Sequence, residues 1–438
     1  MQHVPDHYKY FKMIEQKSKE ALHANAGHHA SEAGKHASEA GKQAPAAGRR
    51  APEAGRRASA NAYQKTGTNE RCMNNLKRLL VTGGGTGGHV YPALSVLEAF
   101  DPLPELLWVG KEGGMEEPIV RRAGIPYRSI AAGGLRDMAW SHRLFNSVKL
   151  VRGFGQAWHV LRNFRPDVIL ATGGYVTFPV GLAAWLQRIP IAIYLPDIMP
   201  GWAVRGLAPL STKIAVTTPE TTRWFGKKAV VTGYPVRQAL TKTKSKAAAR
   251  QSFKLPPDAN VLLVTGGSQG AKSLNEAIGH FLTDYLELTH VIHVHGKSSK
   301  EWLTQKRDEL PPRLQERYQL YSYLHETMID ALLAADLVVA RAGASVLGEF
   351  TAAGLPAILV PLPIAGVNQQ DNARWLEKQG GALILKNAGL QSHLLPAVQS
   401  LFDNPSRLDA MQQAMRAAAH PTAAANIVAM LHSLVKYQ

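Results

Sequence analysis

The chain has 438 residues, 45% hydrophobic and 19% charged, with 50 Lys+Arg against 33 Asp+Glu and a formal net charge of +17. This is a globular composition with length for two to three domains, and its basic excess calls for an anionic partner. The single cysteine, Cys72, excludes an internal disulfide and a cysteine-based zinc site. The N-terminus has no apolar signal-peptide core, and the longest uncharged apolar stretch, 350–367, is broken by Pro356, Pro361 and Pro363. A membrane span is therefore not expected, and a cytosolic setting is.

Residues 30–57 form four heptads, ASEAGKH, ASEAGKQ, APAAGRR and APEAGRR. Their only apolar side chain is Ala, and each carries a Gly, so they cannot bury enough surface to offset their ordering entropy. Residues 1–72 are expected to be a disordered tail, with Met73 resembling a natural start. From Lys77 onward the pattern is strand, glycine loop, helix, strand. Leu79–Thr82 is the first expected strand, followed by a helix beginning near Pro92 and a strand over Leu106–Gly110. Residues 135–165 are basic and amphipathic, with Trp140, Leu144, Phe145, Val148 and Trp158 interleaved with Arg136, Arg143, Lys149 and Arg152. Further strands are expected at Val168–Thr172, Ile189–Tyr194, Lys213–Thr217 and Ala229–Thr232. After a polar connection at 241–258 come Val261–Thr265, Thr289–His295, Tyr318–Tyr321, Leu337–Ala340, Ala357–Val360 and Ala382–Leu385. A last helix is expected over Ala423–Val435. Strands alternating with helical stretches imply parallel βαβ units.

Two glycine-rich segments stand between an apolar run and a helix start: Thr82-Gly83-Gly84-Gly85-Thr86-Gly87-Gly88-His89 and Thr265-Gly266-Gly267-Ser268-Gln269-Gly270-Ala271. Such loops bring backbone N–H groups and a positive helix end to an anion. A nicotinamide enzyme is disfavoured, because the acidic residue expected after the second strand appears only as the late Glu112. The fuller series is more specific: Gly84 to Leu94, Gly173-Gly174-Tyr175-Val176, Gly233-Tyr234-Pro235-Val236-Arg237, Gly266 to Ala271, Arg341-Ala342-Gly343-Ala344, Glu349, Ala353-Gly354-Leu355-Pro356 and Asn368 to Ala373. In that order it strongly resembles the MurG family of peptidoglycan N-acetylglucosaminyltransferases, over residue 73 to the C-terminus.

The resemblance implies an α/β GT-B fold, two Rossmann-like domains whose parallel sheets face a cleft. Its divisions would be an acceptor and membrane-side domain at 73–236, a donor domain at 237–422, and a final helix at 423–438 packing back on the first domain. It implies transfer of N-acetylglucosamine from UDP-N-acetylglucosamine to the muramyl C4 hydroxyl of an undecaprenyl-diphosphate-linked acceptor, with inversion to a β linkage. Carried over, Glu349 would hold the ribose, and Gln369 and Asn368 the sugar hydroxyls. Ser268 and Gln269 would face the diphosphate, with Arg237 nearby, Leu324 would place backbone groups against the uracil, and Gly270 and Ala344 would be further donor-binding residues. Thr86, Gly87 and Gly88 would complete the donor contacts from the first loop. No Asp-x-Asp pair occurs in the chain, so no metal or other cofactor is expected.

The chain departs from the family at two points. The family glutamate of the His-Glu-Gln-Asn motif falls on Leu195, with Asp197 at the asparagine, and the asparagine of Gly-Asn-Pro-Val-Arg is Tyr234. Leu195 can move no proton, so the general base is expected to be His89, Asp197 or both in relay, with Tyr175 beside them. Arg143, Phe145, Lys149 and Arg152 are expected to face an anionic membrane surface. The alternatives are a GT-B transferase for another acceptor, an epimerase or hydrolase of similar fold, and a UDP-sugar-binding protein that has lost catalysis. No nucleic-acid recognition motif is present.

Overall fold

A computed structural model describes residues 76–133, 140–241, 244–267, 270–297, 299–325, 327–362 and 369–435, with the side chains of 140–148 and 241 outside that description. The reading of residues 1–72 as a disordered tail lies outside the described residues, as do Ser268, Gln269 and Asn368 and the side chains of Arg143 and Phe145.

The first sheet contains β1 (Arg78–Gly83), β2 (Glu105–Lys111), β3 (Tyr127–Ile130), β4 (Val168–Gly173), β5 (Ile191–Leu195), β6 (Lys213–Val216) and β7 (Ala229–Val231). Its order is β3-β2-β1-β4-β5-β6-β7, and every pairing is parallel. The second holds β8 (Val261–Thr265), β9 (His290–Val294), β10 (Tyr318–Tyr321), β11 (Leu337–Ala340), β12 (Ala357–Leu359) and β13 (Ala382–Ile384). Its order is β10-β9-β8-β11-β12-β13, again all parallel. Runs such as Leu79-Leu80-Val81 and Val261-Leu262-Leu263-Val264 are buried throughout, because helices cover both faces of a parallel sheet. In each sheet the strand order reverses beside the strand that carries the glycine loop, β1 or β8. The crevice at such a switch point is where α/β sheets bind ligands.

The strands match the sequence reading closely, with one omission. β3 has only two apolar residues in four, Tyr127 and Ile130, too few to signal a strand. It is held at the sheet edge by pairing with β2 and by the Tyr127 hydroxyl donating to Lys111 O at 3.0 Å. The first helix also differs. It runs Gly87–Leu97, starting five residues before Pro92, so His89 lies in its first turn.

The core has three parts. One lies between the first sheet and the helices Trp140–Phe164, Thr177–Leu186 and Trp202–Leu207, and includes Leu80, Ile169, Ile193 and Leu195. Another covers the outer face of the second sheet. The largest is continuous from Val81, Leu170 and Tyr194 of the first sheet to Leu263, Val338 and Leu359 of the second. The last helix, Ala423–Leu434, packs against Gly87–Leu97 through Ile427 and Leu431, with His432 tilted on Phe100 at 5.7 Å.

Candidate active site

Segments following β1, β5 and β7 meet segments following β10, β12 and β11: Tyr91 meets Tyr323, Asp197 meets Asn372 and Tyr234 meets Gly348. On the first loop, Thr86 precedes the helix in extended geometry; its side chain makes no cap, and its carbonyl accepts from His89 N at 3.2 Å. Gly84 N donates to Gly173 O at 3.1 Å, joining the loops after β1 and β4. Gly173 and Gly174 have φ of +119° and +91°. A Cβ on Gly173 would lie 2.9 Å from His89 Nε2, and one on Gly174 would lie 2.5 Å from Gly84 O. Only glycine permits both the conformation and the approach.

That approach fixes His89. Its Nδ1 lies 2.9 Å from Gly84 O and 3.4 Å from Thr86 Oγ1. A carbonyl can only accept, so Nδ1 carries a proton, and in the neutral ring Nε2 then holds the lone pair. Asp197, just beyond β5, is half-buried. Burial raises its carboxyl pKa, while an N–H from Asn372 and the charge of nearby His89 hold it down. Tyr175 is 56% exposed on the turn after Gly174.

Beneath the first loop is a group the sequence reading did not single out. Glu116 is fully buried. Its carboxylate accepts from Gly85 N at 3.2 Å and Lys111 N at 2.8 Å, and it fills the space a Cβ on Gly84 would need. Trp108 Nε1 adds a 3.1 Å bond to Gly83 O. The acid after the second strand is thus a brace under the loop, and Glu112 has no such role.

Leu195, at the family glutamate position, is 2% exposed and points into the apolar core with Ile193, Val180 and Leu207. Its alternation along β5 puts Tyr194 on the opposite face. Tyr194 packs edge-on against Tyr234 at 6.2 Å, and its hydroxyl lies 3.3 Å from Thr217 Oγ1. The two buried rings, with Tyr234 closing against Gly348, form an apolar seam between the halves.

Of the residues expected to hold the donor, Arg237 and Glu349 come together. The Arg237 guanidinium is 3.8 Å from Glu349 Oε1, donates to His325 O at 3.4 Å and lies 6.0 Å from the Tyr91 ring centre. The Tyr91 hydroxyl meets that of Tyr323 at 3.2 Å, another contact between the halves that motif reading missed. Leu324, between Tyr323 and His325, is buried, as is Ala344. Burial raises the Glu349 pKa, and Arg237 then Ser345 oppose this. Gln369 Oε1 accepts from Leu362 N at 3.0 Å. On the second loop Gly270 N donates to Gly267 O at 2.9 Å, and the helix Lys272–His280 follows without a side-chain cap.

On the helix Trp140–Phe164, Arg152 is exposed and Lys149 partly so, and Val151 between them is 74% exposed. Trp158 is not available for insertion: it is partly buried in the first-sheet core, tilted on Phe154 at 6.0 Å. Among the described residues no helix is long and apolar enough to cross a membrane, and no three His, Cys, Asp or Glu side chains converge as a metal site would require.

Two doubly wound domains, with a histidine at one switch point and a carboxylate–guanidinium pair at the junction of the halves, define a GT-B sugar-nucleotide protein. Residues 79–216 match the glycosyltransferase family 28 N-terminal domain, and residues 261–427 its C-terminal domain. The UDP-N-acetylglucosamine–N-acetylmuramyl-(pentapeptide) pyrophosphoryl-undecaprenol N-acetylglucosamine transferase of Roseiflexus is 37% identical, over 82% of this chain and 95% of that one. The crystal structure of Acinetobacter baumannii MurG is similar with a TM-score of 0.64 and 26% identity, over 82% and 99% of the two chains. The Neisseria meningitidis UDP-GlcNAc 2-epimerase bound to UDP-GlcNAc has a TM-score of 0.58 at 14% identity, over 81% and 100%, a likeness of fold alone. The chain belongs to glycosyltransferase family 28 and, within it, to the family of these undecaprenol-linked N-acetylglucosamine transferases.

Proposed function

We infer that this chain transfers N-acetylglucosamine from UDP-N-acetylglucosamine to the C4 hydroxyl of undecaprenyl-diphosphate-linked muramyl pentapeptide, in peptidoglycan synthesis. The observation that carries the mechanism is the tautomer of His89, whose Nε2 lone pair stands at the switch point of the acceptor half. His89 Nε2 takes the C4 proton as the hydroxyl oxygen attacks the anomeric carbon. The bond from that carbon to the UDP oxygen breaks on the opposite face, which inverts the centre. Asp197 stabilises the imidazolium that forms, a role supported by the Asn372 N–H and the His89 charge, which favour its ionised form against burial. Backbone N–H groups of the second loop, its helix start and Arg237 take up the charge developing on the leaving diphosphate. Glu349 accepts from the ribose, Gln369 and Asn368 from the sugar, and Leu324 and Ala344 flank the base.

Charge neutralisation by these groups makes the reaction metal-independent, consistent with the lack of an Asp-x-Asp pair. The acceptor's lipid places the work at a bilayer surface, at the cytoplasmic face, and the exposed Arg152 and Val151 support contact through Trp140–Phe164. The test is transfer of label from UDP-N-acetylglucosamine into a short-chain lipid-linked muramyl pentapeptide. Label is expected to enter the lipid fraction in excess EDTA. Label retained in water-soluble products would defeat the function, and turnover lost in EDTA but restored by magnesium would defeat metal independence.

A further inference from the structure

Asn372 has no exposed surface and belongs to the second half, on the helix Gln369–Lys378. Its side chain reaches both halves. Nδ2 donates to Asp197 Oδ1 at 2.8 Å and to Ala342 O at 3.1 Å, and Oδ1 accepts from Ile198 N at 3.2 Å. Both amide protons and the amide oxygen are thereby used, which defines the amide's orientation. Asn372 lies three residues after Gln369, so the two share one face of the first helical turn. One turn further on, Trp375 Nε1 donates across the same junction to Glu220 Oε2 at 3.1 Å.

We propose that Asn372 is a positioning residue, a clasp that locks Asp197 in place only when the donor half is closed on the acceptor half. The proposal rests on the transferase function and on Asp197's part in it. The groups facing Asp197 are His89 after β1 and Tyr194 and Tyr234 of the same half, with Glu349 and Arg237 facing Tyr234 from the junction. With the halves apart, Asp197 loses the N–H that favours its ionised form. Removal of an N–H donor from a buried carboxylate raises its pKa. Closure around the sugar nucleotide would therefore complete the proton-handling pair, so that the base is set when the donor is present.

Asn372→Asp keeps the size and the acceptor for Ile198 N but sets a second carboxylate against Asp197. Asn372→Ala removes the clasp outright. Each is expected to lower kcat about a hundredfold with less than threefold change in KM for UDP-N-acetylglucosamine, and Asn372→Asp to move the acid limb of the kcat profile up by about one pH unit. In an Asp197→Asn background, Asn372→Ala should cost less than threefold, since the two act as one. Equal, additive losses in both backgrounds, or an acid limb at the parental pH, would overturn the clasp and leave Asn372 a packing residue. A carbon-13 titration of the Asp197 carboxyl reads the same contact without turnover. It should move to higher pH in Asn372→Asp, and an unmoved titration overturns the clasp. A parent chain that transfers no sugar would defeat the function instead, while this titration still decides the clasp.

Discussion

The two glycine loops are the same βα turn built over different supports. Under the first lies a buried carboxylate, Glu116, accepting from Gly85 N and Lys111 N. Under the second lies a hydrogen-bonded chain that contains no carboxylate. Asn275 Nδ2 donates to His295 O at 3.1 Å, beside Gly270. His293 Nε2 meets Asn275 Oδ1 at 3.1 Å, His293 Nδ1 meets the Tyr318 hydroxyl at 2.8 Å, and His295 Nε2 meets Ser322 Oγ at 3.3 Å. Burial keeps His293 neutral, lowering its pKa from 6.5 to about 3. In the proposed function the difference follows from what each loop would carry. The first ends in His89, proposed to take a proton, with Asp197 nearby. The second would receive a diphosphate, which a buried carboxylate would repel. On that reading one scaffold supplies a half for moving a proton and a half for holding a charged leaving group.

The largest expected effect breaks the first half alone. His89→Ala should lower kcat by about 10²- to 10⁴-fold, the range for loss of a general base. Calorimetry should show UDP affinity unchanged. A parallel loss of UDP affinity would mean that His89 serves the donor rather than the proton.

Next in size is acid sensitivity confined to the second half. An unfolded His293 binds a proton near pH 6.5, whereas the folded one does so only near 3. As pH falls through that window the unfolded chain gains a proton that the folded chain refuses, so stability is lost. The full loss from this group is on the order of 5 kcal/mol. His293→Gln should flatten this part of the denaturation profile between pH 6.5 and 4, and an unchanged slope would place the acid sensitivity elsewhere.

Glu349→Ala should weaken UDP-N-acetylglucosamine binding about tenfold to a hundredfold, the worth of a hydrogen bond to a charged group. Equal affinity in mutant and parent would remove Glu349 from the ribose. Glu116→Gln replaces one accepting oxygen with an amide that cannot accept. Orphaning one buried N–H costs about 1–3 kcal/mol, read as a lower Tm with His293 and its network untouched. No change in Tm would show that the first loop needs no brace. Smallest per residue is membrane contact. Lys149→Glu with Arg152→Glu should reduce sedimentation with anionic vesicles at low salt, each lost basic charge contributing about 1 kcal/mol. Sedimentation like the parent's would move the membrane face elsewhere on the molecule.

Most of the fold was legible because buried parallel strands are continuous apolar runs, and Val261–Thr265, Tyr318–Tyr321 and Leu337–Ala340 fall where the pattern put them. β3 escaped because edge pairing, not composition, holds it. The motif residues His89, Asp197, Arg237 and Glu349 could be named because they stand in or beside short segments that carry the family resemblance. Glu116 and Asn372 were not, because their roles depend on partners far along the chain: Glu116 reaches back to Gly85, and Asn372 reaches Asp197 across the junction. Asn372 lay inside a motif already noted. Its one-turn spacing from Gln369 was the available signal, but only the folded pairing gives that spacing a meaning. Leu195 shows the converse: a lost carboxylate in the motif becomes an ordinary core leucine once β5 turns that position inward.

The most direct test of the account is the identity of the product. Purified chain, UDP-N-acetylglucosamine and a short-chain lipid-linked muramyl pentapeptide are incubated, and the anomeric proton of the transferred sugar is read by NMR. The account predicts a single β-linked N-acetylglucosamine on the muramyl C4 oxygen, with one UDP released per sugar transferred. An α linkage, release of free sugar, or an epimerised UDP-sugar in place of transfer would contradict it.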